Sequence, residues 1–481
     1  MNVVLFNPRA QTAHRRLPLS VLMLARVVRQ PWELVDGNVE PDAIARLEGL
    51  CARPGTVLLV TVMPGPQLRV AAPLCRRLKA RFPGLVVVWG GYFPTVHPAA
   101  CARDAGVDWV VIGQGERTLP ELLDAIERGG DPLAVPGVAG WRDGALAKAP
   151  SRGYLRPADF GDPPYERLDM ERYAARTFLG RRTFNHHTSA GCPYFCNFCA
   201  VVNMFDGRWI PDPAESVVRI ARRLARDHGA DALEFHDNNF FAWEKRCREV
   251  ADGIAGLGLS WWGEGRVDTM LGFSGETWEA MARSGLRMVF FGAESGDQGA
   301  LDAMDKGGLT VDHTRELNRL ARRHGVRPEF SFVLGHPADP EGDVAKSLAL
   351  VRELKRDNPD CEIILYLYTP VPLPGPWEKS GFAFPETLDE WLAPPWDRYE
   401  ARRDPRTPWL TPRLVRSVHD FEAVLHARHP TASDLRLKAW QRALLRLLAE
   451  PRWRFGLYTR PWELKALQKL WGYRRPEEMG F

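Results

Sequence analysis

Over the first 145 residues, short runs rich in β-branched and aromatic residues alternate with longer stretches of helical apolar spacing. Val3 to Phe6, Trp32 to Val35, Val57 to Val62, Val86 to Trp89 and Trp109 to Ile112 read as strands. Leu68 to Phe82 and Leu119 to Glu127 are among the helical patterns between them. Strands separated by helix-length segments imply βαβ units and a parallel sheet, here a five-stranded, flavodoxin-like (Rossmann-type) α/β domain over residues 1–145. Ligands of such sheets bind at the carboxyl ends of the strands. Those ends carry Asn7-Pro8, Met63-Pro64-Gly65-Pro66-Gln67, Gly90-Gly91-Tyr92-Phe93-Pro94 and Gly113-Gln114-Gly115-Glu116. A single glycine-rich loop is ordinary turn punctuation, whereas several along one sheet edge predict a binding edge where backbone approaches a ligand. No GxGxxG follows the first strand, which argues against an ordinary dinucleotide site.

The alternation breaks into proline-rich segments such as Asp162-Pro-Pro-Tyr165, predicting a linker over 146–182. A second α/β series follows over 183–395, with strands at Thr183 to Ser189, Ala232 to His236, Leu259 to Gly263, Met288 to Gly292, Glu329 to Leu334 and Glu362 to Tyr368. Six βα repeats are too few to close an eight-stranded barrel, so an open, partial (β/α)6 TIM-like barrel is expected, with its site at the carboxyl strand ends. Directly after the first of these strands stand Cys192, Cys196 and Cys199. Their CxxxCxxC spacing wraps three corners of a cubic iron–sulfur cluster and leaves one iron open. An electron carrier has no need of an open iron, so chemistry at the metal is expected.

The composition narrows the partners. With 64 basic and 60 acidic residues and a net charge of +4, nothing argues for nucleic acid as an obligatory partner. No run of about 18 apolar residues and no secretory signal pattern is present, so a cytoplasmic protein is expected. The other five of eight cysteines, Cys51, Cys75, Cys101, Cys247 and Cys361, are scattered as small packing residues would be.

The cysteine loop, the strand-end segments and the domain order together resemble the cobalamin-binding branch of the radical S-adenosylmethionine (SAM) superfamily, over roughly residues 1 to 380. The resemblance implies a [4Fe-4S] cluster on the three cysteines, with SAM held by Phe198, Asp237, Asn238, Asn239, Glu264, Arg266, Glu294 and Ser295. It implies cobalamin at Pro8, Met63, Pro64, Gln67, Gly90, Gly91, Phe93, Pro94, Gly113, Gly115 and Glu116. Trp261, Trp262, His336, Tyr366 and Tyr368 are expected to line the substrate. The DxHxxG segment that supplies a cobalt ligand in many cobalamin proteins is missing, and His97 reads as a loop histidine without a metal. The implied activity is methylation of an unactivated carbon of a small metabolite or lipid-like substrate, through a 5′-deoxyadenosyl radical and methylcobalamin, with electrons from a reductase or flavodoxin. Three alternatives stand beside it. One is ring closure or oxidation without methyl transfer, as in the porphyrin cyclases. Another is transfer RNA methylthiolation, which those enzymes support with three further amino-terminal cysteines. The last is structural zinc on the cysteines with His186 or His187.

Residues 396–481 are rich in Trp and Arg, with helical spacing from Leu435 to Leu448. They are expected to cap the barrel, with contact to a membrane surface as the second reading.

Overall fold

The computed structural model describes residues 1–10, 15–373, 375, 377–396, 399, 401–403, 407–432 and 437–473. Two parallel sheets organise it. The first comprises β1 (Asn2–Asn7), β2 (Trp32–Asp36), β3 (Thr56–Thr61), β4 (Val86–Gly90), β5 (Trp109–Val111), β6 (Val138–Arg142) and β7 (Ala145–Lys148), in the order β2-β1-β3-β4-β5-β6-β7. Alternate residues of its strands feed separate cores. Val4, Phe6, Leu58, Val60, Val87 and Trp89 pack on one face, and Val3, Leu5, Val57, Leu59 and Val88 on the other. Burial on both faces explains why these strands are apolar without interruption.

The sheet is larger than the five strands expected. β6 and β7 form an antiparallel hairpin that extends it past β5, joined by Asp143-Gly144 at φ 51° and 77°. An Asp-Gly pair at positive φ is a strong short hairpin signal, here set between flanks too weakly apolar to read as strands.

The second sheet contains β8 (Thr183–His186), β11 (Ala232–Phe235), β12 (Ser260–Gly265), β13 (Leu286–Glu294), β14 (Arg327–Leu334) and β15 (Glu362–Leu367), all parallel, in the order β15-β14-β13-β12-β11-β8. Its outer strands β8 and β15 do not pair with each other, and the free side of β8 carries only an isolated bridge from Thr183 to Ala175, so the barrel is open. Phe184, Phe235, Trp261, Phe291 and Phe330 pack between the strands and helices such as Ala214–His228 and Glu244–Ile254. The predicted strand to Ser189 is divided: the chain leaves β8 at His186, and β9 (Ser189–Gly191) pairs antiparallel with β10 (Trp209–Pro211). This two-stranded clip closes the base of the cysteine loop.

After β15 the chain crosses back to the first domain, where Leu388 and Trp391 join its core. Helix Pro412–Arg428 buries Leu414, Val418, Phe421 and Leu425 against the barrel. Helices Ala439–Phe455 and Trp462–Leu470 pack on that helix through Leu445, Ala449 and Leu464. The start of the predicted Leu435 to Leu448 pattern lies outside the described residues. Among the described residues, no helix is long and apolar enough to cross a membrane.

Candidate functional site

The cysteine loop is held at both ends. At its root, Asp237 at the end of β11 accepts hydrogen bonds from Thr188 N at 2.6 Å, Thr188 Oγ1 at 2.5 Å and Ser189 Oγ at 2.7 Å. Arg246, fully buried, donates to Thr188 O and to Asp212 O, each at 2.9 Å. At its tip, Asn197 binds Met304 O and Ala303 O at 3.2 and 2.9 Å, and Tyr194 meets Thr269 Oγ1 at 2.8 Å. Gly191 has φ 77°, and a side chain there would collide with Arg208 O. The three sulfurs therefore sit on a loop whose shape is set by its surroundings. Cys196 is buried, while Cys192 and Cys199 are partly exposed. Burial pushes the Cys199 thiol up to about 11 and raises that of Cys192 as well.

Two cations flank Cys196. Arg266 Nη1 lies 3.5 Å from its Sγ, and the guanidinium stacks on the Tyr194 ring at 3.8 Å. The rest of Arg266 is committed to Asp268 at 3.0 and 2.8 Å and to Lys306 O at 2.7 Å. It is therefore already occupied by partners within the chain. Lys306, buried, pairs with Glu294 at 2.5 Å and faces the ring of Phe198 at 5.7 Å. Glu294 adopts φ 62° to reach it, a conformation that costs a non-glycine residue energy and is kept only where packing over-determines it. Ser295 is buried and bonded to Asp343. Of the predicted SAM residues, Asp237, Arg266, Glu294 and Ser295 thus make up the frame of the loop and strand ends. Asn238 is exposed.

The groups left unsatisfied mark the surface that a bound molecule would meet. Asn239 is buried, with Nδ2 3.9 Å from Cys192 Sγ and Oδ1 unpartnered. His336 Nε2 and Tyr368 OH are also buried without partners, on rings 5.4 Å apart at the ends of β14 and β15. Ala338 N donates to His336 Nδ1 at 3.3 Å, which makes Nε2 the protonated, donating nitrogen. Tyr368 packs in one cluster with Cys196 and Phe198, with Tyr366 partly buried against it. Unpaired buried polar atoms are costly, so these three fit a polar ligand such as SAM at the cysteine loop.

The interior of the barrel brings the predicted Glu264 and Trp262 together with Glu234 and Glu329, two residues the sequence did not single out. Glu234, Trp262, Glu264 and Glu329 project inward. Arg16, from the segment after β1, reaches Glu234 at 3.1 Å, and His236 lies 3.0 Å from the same carboxylate. Burial, with Asp237 and Glu329 adding repulsion, pushes Glu264 up to about 8. Trp262 joins this face, its Nε1 3.4 Å from Glu329. Trp261 points the opposite way, as a neighbour on a strand must, and donates to Ser284 Oγ at 3.1 Å among Phe240 and Phe241. The expected substrate-lining role therefore fails for Trp261. An inward Glu or His on alternate strand positions was the available signal for the others.

At the first sheet's edge, Gly91 has φ 96°, and a side chain there would stand 2.9 Å from Thr61 Oγ1. Gly113 has φ 75° and lies under Tyr154. Gln67 stitches the loops together: it donates to Asn7 Oδ1 at 2.9 Å and Pro8 O at 3.1 Å and accepts from Met63 N at 3.0 Å. Met63, exposed, and Pro64 belong to the same loop as Gln67, and Gly90 O accepts from Val62 N at 3.0 Å. Phe93 and Pro94 turn into the core, and Glu116, next to Gly115, pairs with Arg26 at 3.3 Å. These three are structural placements. His97 packs between Phe93, Phe384 and Trp391, 5.1, 5.8 and 4.7 Å from its ring, and burial pulls it down to about 4. His186 is bonded to Tyr165 at 3.2 Å, so it is turned away from the cysteines.

Comparison with known proteins agrees with this geometry. Residues 10–123 match the B12 binding domain and residues 187–351 the radical SAM superfamily. An uncharacterised methyltransferase of Pyrococcus horikoshii is 27% identical over 79% of this chain and 83% of its own length. An anaerobic magnesium-protoporphyrin IX monomethyl ester cyclase of Synechocystis is 26% identical over 60% of this chain and 57% of its own. The fold resembles that of the radical SAM methyltransferase TsrM from Kitasatospora setae, solved with tryptophan and a SAM analogue, at TM-score 0.61 and 21% identity over 76% of this chain and 73% of that one. Residues that match the B12 binding domain thus lead into residues that match the radical SAM superfamily, and the three-cysteine loop stands near the start of the second match.

Proposed function

We propose that this chain is a cobalamin-dependent radical SAM methyltransferase acting on an unactivated carbon of a small metabolite. The observation that carries the reading is the facing of the two sheet edges. Helix Tyr92–Val96, at the end of β4, packs on helix Ala200–Phe205, which begins at the last cysteine. Tyr154, from the connecting segment, lies over Gly113 on one side and bonds Met204 O on the other. A flat corrin resting on the glycine edge would thus be turned toward the cysteine loop.

When bound, the cluster, SAM and cobalamin supply one-electron reduction, hydrogen removal from carbon and delivery of a methyl group. The chain supplies position. Gly91 and Gly113 give the edge on which the corrin would lie the positive φ its turns require. Cys192, Cys196 and Cys199 hold the cluster, and Asn239, His336 and Tyr368 offer the hydrogen bonds that SAM would take up. Glu264, protonated at neutral pH, offers both a donor and an acceptor to a hydroxyl or amine. Electrons come from a separate reductase or flavodoxin.

The test is anaerobic turnover of reconstituted protein with SAM carrying a labelled methyl group, a strong reductant and cobalamin, with candidate small metabolites. Formation of 5′-deoxyadenosine and S-adenosylhomocysteine together, with label in the product, supports the reading. A ring-closed or oxidised product with 5′-deoxyadenosine but no S-adenosylhomocysteine favours the cyclase alternative. Neither nucleoside from cluster-replete protein with any candidate refutes both.

A further inference from the structure

Seven of the twelve large apolar side chains that the described residues leave exposed lie between residues 440 and 470. They are not scattered. Helix Ala439–Phe455 turns Leu445 and Ala449 inward, and on its opposite side Trp440, Leu447 and Phe455 stand 58%, 69% and 68% exposed. Ala443 and Pro451, also exposed, fill the gaps in this row at helical spacing. Helix Trp462–Leu470 repeats the arrangement. Leu464 and Gln468 are buried, while Trp462 and Leu470 are 71% and 77% exposed with Ala466 between them. Both helices rest on Pro412–Arg428. Trp440 meets Trp471 at 5.4 Å, and Arg452 pairs with Glu463 at 2.5 Å, so the two rows run side by side in opposite directions.

The charges around the rows are predominantly positive. Among the described residues from 437 on, the exposed cations are Lys438, Arg446, Arg454, Arg460 and Lys469, against Glu450 and Glu463. Both of those carboxylates are already paired, with Arg428 and Arg452. The face thus combines exposed tryptophans, aliphatic rows and a surplus of arginine and lysine. That is the chemistry of a helix pair lying in the interface of a bilayer, apolar side down and cations at the level of anionic headgroups. A second copy of this chain fits less well, because pairing the face with itself would bring its cations together.

We propose that this helix pair docks the protein on a membrane surface rich in anionic lipid, without crossing it. The inference does not depend on the reaction catalysed. Full-length protein should co-sediment with vesicles of phosphatidylglycerol and phosphatidylethanolamine, stay in solution with phosphatidylcholine vesicles, and be released by salt. The triple variant Trp440→Ser, Leu447→Ser, Trp462→Ser should lose binding about tenfold or more while keeping the wild-type melting temperature. Arg446→Glu with Arg454→Glu should remove the preference for anionic vesicles and leave the fold intact. Three results would overturn the proposal: wild-type protein that ignores phosphatidylglycerol vesicles, binding that the triple variant leaves unchanged, or a solution dimer, seen by light scattering, that the triple variant splits.

Discussion

The two sheet edges that face one another are built on opposite chemical principles. The first domain presents backbone: Gly91 and Gly113 at positive φ, with Gln67 and Asn7 binding the loops to one another. The barrel presents charge: Glu264, Arg266, Glu294 and Lys306 within a few strand ends, nearly all buried and paired. An edge built of backbone suits a large flat ligand held by shape. An edge built of charge suits a loop that must stay rigid while its metal site changes charge, because hydrogen bonds and cations around thiolates tune such a site. The two halves should therefore fail separately.

The sharpest break is Cys196→Ala. It should lower 5′-deoxyadenosine formation by about a thousandfold or more, ~4 kcal/mol of barrier, while corrinoid absorbance of the purified protein is kept. Next is the buried pair. Lys306→Met strands Glu294 and should cost about 3–5 kcal/mol in urea denaturation, part of which the double change with Glu294→Gln returns. On the other edge, Gly91→Val forces a side chain against Thr61 at positive φ and should cost about 1–3 kcal/mol. It should abolish corrinoid retention with iron content unchanged, and loss of both cofactors together would erase the contrast.

Arg266→Lys distinguishes two roles for one residue. If the guanidinium serves Cys196, as its geometry shows, the midpoint potential of the cluster falls in an EPR-monitored titration and SAM affinity holds. A fork for the SAM carboxylate would give the reverse.

The smallest effect is in pH. Glu264 is held near 8 against an ordinary value of 4.5, so between these values the folded chain binds more protons than the unfolded one. Stability is full below about pH 4.5 and is lost as pH rises through 8. Glu264→Gln should therefore stabilise the ligand-free protein by about 1–2 kcal/mol at pH 8.5 relative to pH 7, with no matching slope from the backbone edge.

Much of this was legible in the chain. Strand and helix positions follow from continuous apolar runs and helical spacing, which are local. The cysteine triad is legible because a cluster needs its ligands close along one loop. The roles of the charged strand-end residues were less so. Asp237 and Ser295 sit where the family places SAM contacts, yet both are taken up by Thr188 and Asp343, partners far away in the chain. Trp261 and Trp262 differ only in which face of β12 they occupy, and a dipeptide does not say which face is the lumen.

The sequence by itself determined that there are two parallel α/β units, a three-thiolate loop after the first barrel strand, and a glycine-lined edge ahead of it. Each follows from a pattern confined to neighbouring residues. Tertiary structure alone decided that the two edges face each other across Tyr154, that Arg266 and Lys306 converge on Cys196, and that the carboxyl-terminal helices turn a second apolar face to solvent. Those outcomes depend on which distant groups meet and on what remains uncovered once the cores are filled, and no local pattern encodes either.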